Sequence, residues 1–232
     1  KVTRGNWESV EKDAKGGEIP NRTLEARTDL RVRIRVEAWR DQTAAPAVPA
    51  PVTGDLRLVE GFAMPQLGTT RTLRILLPPG YGASDQRYPV LYMLDGQNLF
   101  DAATAFAGEW EVDESLARLW ARGELPPMIV VGVDHGASAR LSEYAPFRDA
   151  RIPTPRGDAT ADFLAKTLKP WVDRTYRTKP EAQHTALAGS SLGGLISLYA
   201  LIEYPDVFGG AGCLSTHWPI GEEVLVDALG AA

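Results

Sequence analysis

From residue 71 onward, short apolar runs alternate with helical patterns, and that alternation constrains the fold more than any other feature of the sequence. RTLRILL over 71–77, PVLYML over 89–94, MIVVGV over 128–133 and HTALA over 184–188 are rich in β-branched residues, and several are continuous rather than alternating. Continuous apolar runs of this length are expected of strands buried on both faces. Between them, 112–121 and 161–176 carry helical spacing, the second with Phe163, Leu164, Leu168, Trp171 and Val172. The pattern predicts an α/β fold built on a mostly parallel sheet, in which ligands gather beyond the carboxyl ends of the strands.

Composition removes several alternatives. With 44% apolar and 24% charged residues the chain can pack a core, and 25 basic against 30 acidic residues give a net charge of -5. That balance has no affinity for nucleic-acid phosphates. A single cysteine, Cys213, cannot close an internal disulfide, and three histidines with no His-Glu-x-x-His provide no metal cage, so neither a metal nor a cofactor is expected. No stretch reaches the roughly 18 uncharged apolar residues of a membrane helix. Localisation and oligomeric state stay open. The first residue opens in mid-pattern, so a leader is expected to have been lost with the missing start.

Residues 43–51 read TAAPAVPAP, a run that withholds ladder donors and favours extended polyproline backbone. We therefore place a linker at 43–54, between an amino-terminal segment at 1–42 and an α/β domain at 55–232. In the first segment LRVRIRVEAW over 30–39 alternates apolar residues with arginines and a glutamate, the period-2 signature of a half-buried strand with a solvated charged face. So few strands bury too little to stand alone, and an upstream portion is expected to be missing. The wording KVTRGNWESVEKDAKGGEIPNR resembles the closing strands of starch-binding-like β-sandwich modules. That resemblance leaves Trp7 either as a sugar-stacking face or as core.

The motif that carries chemistry is HTALAGSSLGGLISLYA over 184–200. It sets Gly189-Ser190-Ser191-Leu192-Gly193 between a strand and a helix, which is G-x-S-x-G in the context of a nucleophile elbow. The central Ser191 of such an elbow sits in a strained turn that pushes its hydroxyl out of the sheet, and flanking glycines allow strand and helix to approach. The Leu192 amide at the helix start can donate to an oxyanion. The same letters also suit a tight helix start capped by Ser190 or Ser191. A second oxyanion amide is expected from the loop after an earlier strand, and Asp95-Gly96-Gln97-Asn98 follows PVLYML directly. Gln97 can supply it, unless those residues form only a β-turn.

In order and spacing, YPVLYMLDGQNLFD, PPMIVVGVDHGASARLSEYAPF, LKPWVDRTYRT and HTALAGSSLGGLISLYA resemble the putative-esterase family of α/β hydrolases, the group with esterase D, feruloyl esterases, enterochelin esterases and mycolyltransferases. The resemblance implies an α/β-hydrolase fold, Ser191 as nucleophile and Leu192 and Gln97 as oxyanion donors. Asp95 borders the expected cleft. Arg140, Glu143 and Tyr144 fall in the loop after the third run, where they either contact substrate or hold the loop.

The triad order of this fold is serine, acid, histidine, and only 41 residues follow Ser191, enough for a strand at 207–214 and a helix near 222–229. The domain is therefore expected to be cut at its carboxyl end, without its acid and base. Asp206 precedes the last strand, and His217 follows it as a pocket wall or a displaced base. His135 and His184 precede the serine and are not expected to serve as bases. The expected activity is hydrolysis of a small-molecule carboxylic ester, carbohydrate-linked or siderophore-type, through an acyl-enzyme on Ser191. The alternatives are acyl transfer on the same intermediate, or carbohydrate binding by a protein whose hydrolase domain is degenerate.

Overall fold

Glu11–Lys12 (β1) pairs antiparallel with Ala38–Trp39 (β2), with Glu11 opposite Trp39. The structure, a computed structural model, describes residues 11–15, 19, 35–39, 52–106 and 108–218. The chain divides into two units, Lys1–Ala50 and Pro51–Ala232. In the first, the Ala14 N–H donates to the Glu37 carboxylate at 3.1 Å. Trp7, most of the strand expected at 30–39, the Ala/Pro run at 43–51 and the helix expected at 222–229 lie outside the described residues.

The second unit is a six-stranded sheet of Asp55–Met64 (β3), Thr69–Leu77 (β4), Val90–Leu94 (β5), Ile129–Val133 (β6), Thr185–Ser190 (β7) and Gly210–Leu214 (β8). Its order is β3-β4-β6-β5-β7-β8. Strands β6, β5, β7 and β8 run parallel, while β4 is antiparallel to both β6 and β3. The sheet is thus mostly parallel, as the apolar runs suggest, but RTLRILL belongs to the antiparallel part. Burial on both faces marks a central strand and says nothing of its direction.

Side chains of successive strand residues go to opposite faces. Leu73, Ile75, Tyr92, Val131 and Leu187 pack with Phe163, Leu164, Leu168 and Val172 on one face. Leu76, Met93, Val130 and Ala188 pack with Leu116 on the other. Val112–Ala121 (α1) covers this second face. The first face is covered by Gly157–Asp162 (α3), a π-helical stretch over Phe163–Leu168 and Lys169–Thr175 (α4). A short helix, Arg140–Glu143 (α2), precedes them, and Leu192–Glu203 (α5) joins β7 to β8. The single helix read at 161–176 therefore carries a widened turn, immediately ahead of Pro170, whose ring nitrogen cannot donate to the carbonyl four residues back.

Two boundaries differ from the sequence reading for local reasons. β3 was not foreseen, because a bulge between Val59 and Phe62 breaks its alternation and leaves inward residues at 56, 59 and 62. β8 begins at Gly210 rather than 207, since the N–H groups of Val207 and Phe208 both turn back to the Tyr204 carbonyl at 3.0 Å.

Candidate active site

β7 ends at Ser190 and α5 starts at Leu192, so one residue, Ser191, makes the whole reversal. Its φ of 57° and ψ of -118° fall where L-residues are strained. A Cβ on Gly189 would stand 2.5 Å from the carbonyl carbon of Gly193, and one on Gly194 would stand 2.9 Å from the Thr216 hydroxyl oxygen. At Gly189 the clash is with backbone and excludes any side chain, while at Gly194 the Thr216 side chain would have to give way. The Ser191 hydroxyl makes no capping hydrogen bond to α5, so a cap does not account for the motif. Backbone bonds hold the turn: the Ser191 N–H donates to Leu214 O at 2.9 Å, and its carbonyl accepts from the His217 N–H at 3.2 Å.

The loop after β5 reaches the elbow from the adjacent strand. Asp95 takes a left-handed conformation, φ 61° and ψ 46°, and Gly96–Asn98 forms a single 3-10 turn. Gly96 is pressed onto β6, where a Cβ would fall 2.8 Å from the Gly132 carbonyl carbon. The Gln97 side chain accepts from the His135 N–H at 3.1 Å, and its carbonyl accepts from the Thr104 hydroxyl at 2.7 Å. Among the described residues, the N–H groups of Gln97 and Leu192 find no acceptor.

Asp95 and Arg140, both expected at the pocket, face each other. Nε donates to Oδ1 at 2.6 Å and Nη2 to Oδ2 at 2.7 Å, a bidentate pair with the Asp95 side chain 6% and the Arg140 side chain 23% exposed. The same Nη2 lies 3.4 Å from the Ser190 carbonyl, and the guanidinium stacks 5.0 Å from the Tyr144 ring centroid. Burial alone would lower the Arg140 pKa, but its bond to Asp95 outweighs that and raises it. The Tyr144 phenol is pushed well up by burial and then by the Asp95 charge, so it stays protonated. This cluster ties the loop after β5, α2 and the elbow into one body. It engages both Asp95 oxygens internally.

Two more ion pairs carry the loop after β6. Arg74 binds Asp134 through Nε at 2.8 Å and Nη2 at 3.1 Å, and Arg71 binds Glu143 at 2.6 Å. The sequence reading missed both, although arginines within the otherwise apolar RTLRILL signal buried partners. Between them, burial first, then Arg140 and Arg71, lower the His135 pKa against the opposite pull of Asp95 and Asp134. The neutral ring accepts from the Ala137 N–H at Nδ1, 2.9 Å away, which leaves its proton on Nε2.

All three histidines are described, and none has its imidazole hydrogen-bonded to the Ser191 hydroxyl. His184 lies at the amino end of β7 with the Gln183 amide, and His217 touches the elbow by its backbone N–H. Asp206 is exposed ahead of β8, at the far end of the parallel strands. A groove of about 450 Å³ runs along α2, lined by Leu141, Ser142, Arg151, Ile152 and Arg156 among others. Neither Ser191 nor Gln97 lines it. No helix among the described residues is long and apolar enough to cross a membrane.

Known proteins resemble this chain. The chain is 28% identical over 159 residues to the Bacillus subtilis protein YbbA, covering 64% of this chain and 58% of YbbA. It is 28% identical over 161 residues to an endo-1,4-beta-xylanase/feruloyl esterase of Xylanibacter ruminicola, covering 68% of this chain and 21% of that protein. Among solved structures, an IroE-like serine hydrolase from Shewanella oneidensis superposes with a TM-score of 0.61 at 23% identity, over 76% of this chain and 55% of the other. The chain thus spans little more than half the length of YbbA and of the Shewanella structure. The sheet order and its helices are those of the α/β-hydrolase fold. The profile described as putative esterase matches residues 65–225, and the chain belongs to that family.

Proposed function

We propose that Ser191 is the nucleophile of a carboxylic ester hydrolase and that the Leu192 and Gln97 N–H groups hold the oxyanion. The observation that carries this reading is the strained backbone of Ser191, at a junction where its hydroxyl is released from capping. Such strain persists only where the surrounding structure over-determines it, and it clusters at reacting centres. In the proposed cycle a base takes the hydroxyl proton as Oγ attacks the ester carbon. The tetrahedral oxyanion collapses, expels the alcohol and leaves an acyl-enzyme, which water then hydrolyses. The free N–H groups of Gln97 and Leu192 are donors of the kind an oxyanion requires.

Two substrate classes come from relatives: carbohydrate-linked esters, from the xylanase/feruloyl esterase, and siderophore esters, from the ferri-bacillibactin esterase of Bacillus subtilis, 29% identical over 150 residues. No imidazole is hydrogen-bonded to the Ser191 hydroxyl, so we expect attack on an activated phosphorus centre to be slow but specific. Incubation with excess fluorophosphonate, followed by peptide mass spectrometry, should find the adduct on Ser191. Ser190→Ala should label as the wild type does and Ser191→Ala should not label. A label that survives Ser191→Ala removes the assignment. Because His217 touches the elbow through its backbone, His217→Ala should leave the labelling rate unchanged; a tenfold or greater fall would identify it as the base.

A further inference from the structure

The loop after β5 leads, through residues 99–111, into the first turn of α1, and three carboxylates meet there. Glu109, Asp113 and Glu114 each present an oxygen, and these oxygens lie within 4.8 Å of one another. Acids at a helix start are ordinary, since the dipole rewards them by about 0.3–1 kcal/mol when exposed. That accounts for neither Glu109, which precedes the helix, nor the burial. Asp113 is fully buried, and the Thr53 N–H holds its Oδ2 at 2.7 Å, which leaves Oδ1 enclosed and without a hydrogen-bond partner. Glu109 Oε1 and Glu114 Oε2 are likewise enclosed without a donor. Three of the eight such side-chain atoms among the described residues therefore sit at this one place. One buried and two half-buried carboxylates that converge, each with an enclosed oxygen lacking a donor, call for a positive partner.

We propose that Glu109, Asp113 and Glu114 form a binding site for a divalent hard cation of calcium size. The donors are all oxygens, which suits calcium or magnesium rather than zinc or copper. Three protein carboxylates favour calcium, because magnesium gives up its water reluctantly and is usually held through only one or two carboxylates. The three oxygens lie within 4.8 Å of one another, close enough for one calcium to reach them all. Backbone carbonyls and water complete its shell.

The site is coupled to the loop after β5. The Trp110 N–H donates to Asn98 O at 2.9 Å, the Val112 N–H to Leu99 O at 3.1 Å and the Phe106 N–H to Asn98 Oδ1 at 2.8 Å. A bound cation therefore stiffens the segment that presents Gln97. The site itself does not depend on the hydrolase reading.

The test uses the 232-residue chain after chelator treatment. Calcium titrated by calorimetry should bind one ion per chain and raise the unfolding temperature, with magnesium at least tenfold weaker. Terbium should bind in calcium's place, with luminescence excited through the adjacent Trp110 and quenched by added calcium. Asp113→Asn and Glu109→Gln should each weaken calcium binding at least tenfold while the circular dichroism spectrum is kept. The wild type decides the matter even if a variant fails to fold. Absence of binding and of stabilisation at roughly 10 mM calcium, about tenfold above the weakest ordinary protein sites, overturns the proposal. Unchanged affinity in Glu109→Gln overturns it as well. If the wild type ignores calcium while Asp113→Asn melts higher, a proton shared between neighbouring carboxyls occupies the place instead.

Discussion

Asp95 stands in a left-handed conformation with both carboxylate oxygens on Arg140, and Arg140 reaches on to the Ser190 carbonyl. An exposed pair of this kind would add little, about 0–1 kcal/mol. Here the partners are largely enclosed, and removing one strands the other's charge. For Arg140→Ala we expect a loss of about 3–5 kcal/mol in urea unfolding, the range for breaking a buried pair. Arg140→Lys should recover only part of it, since an ammonium cannot span both oxygens. It should also slow fluorophosphonate labelling of Ser191, because Gly193 in the first turn of α5 packs against the Asp95 carboxylate, where its Cβ would lie 3.3 Å away. Full stability in Arg140→Ala would mean that the elbow and the β5 loop are held by something else. The pairing was beyond reach in the sequence. Asp95 and Arg140 are 45 positions apart, and nothing local distinguishes a carboxylate that meets substrate from one that meets an arginine.

At the scale of elements, the legible parts were those whose signal is local. β5 and β6 fall one residue inside the runs that predict them, and α1 has the expected bounds, because burial on both faces and helical spacing are written directly into consecutive side chains. Strand direction is a property of pairing rather than of the run, so the antiparallel setting of β4 was not legible. β3 was concealed by its own bulge. The elbow was legible for a steric reason: two glycines and a serine at fixed spacing answer a backbone crossing where a Cβ on Gly189 would stand 2.5 Å from the Gly193 carbonyl carbon. The Gln97 loop was legible only as far as its backbone, since the contact of its side chain with the His135 N–H joins two loops 38 residues apart.

For the molecule as a whole, the division at Ala50 and Pro51 lies within the Ala/Pro linker of the sequence reading. Prolines there withhold backbone donors, so few contacts are expected to cross the run, and proteases favour such segments. Brief digestion with a protease of broad specificity should cut within 43–51 and leave a fragment that starts near Asp55, identified by amino-terminal sequencing. First cleavage within 84–87, the polar loop ahead of β5, would place the boundary elsewhere. The strained pivot at Ser191 has a further consequence for the whole chain, in the terms of selection. Glycine accepts φ 57° and ψ -118° without strain, so Ser191→Gly should relieve most of the ~1–3 kcal/mol stored there, less the entropy glycine adds to the unfolded chain. Thermal unfolding should show the variant to be the more stable protein and a fluorophosphonate assay the inert one. A population selected for heat resistance alone would drift away from serine at this position. Its retention in a lineage would therefore record a demand made by chemistry, against the one made by folding.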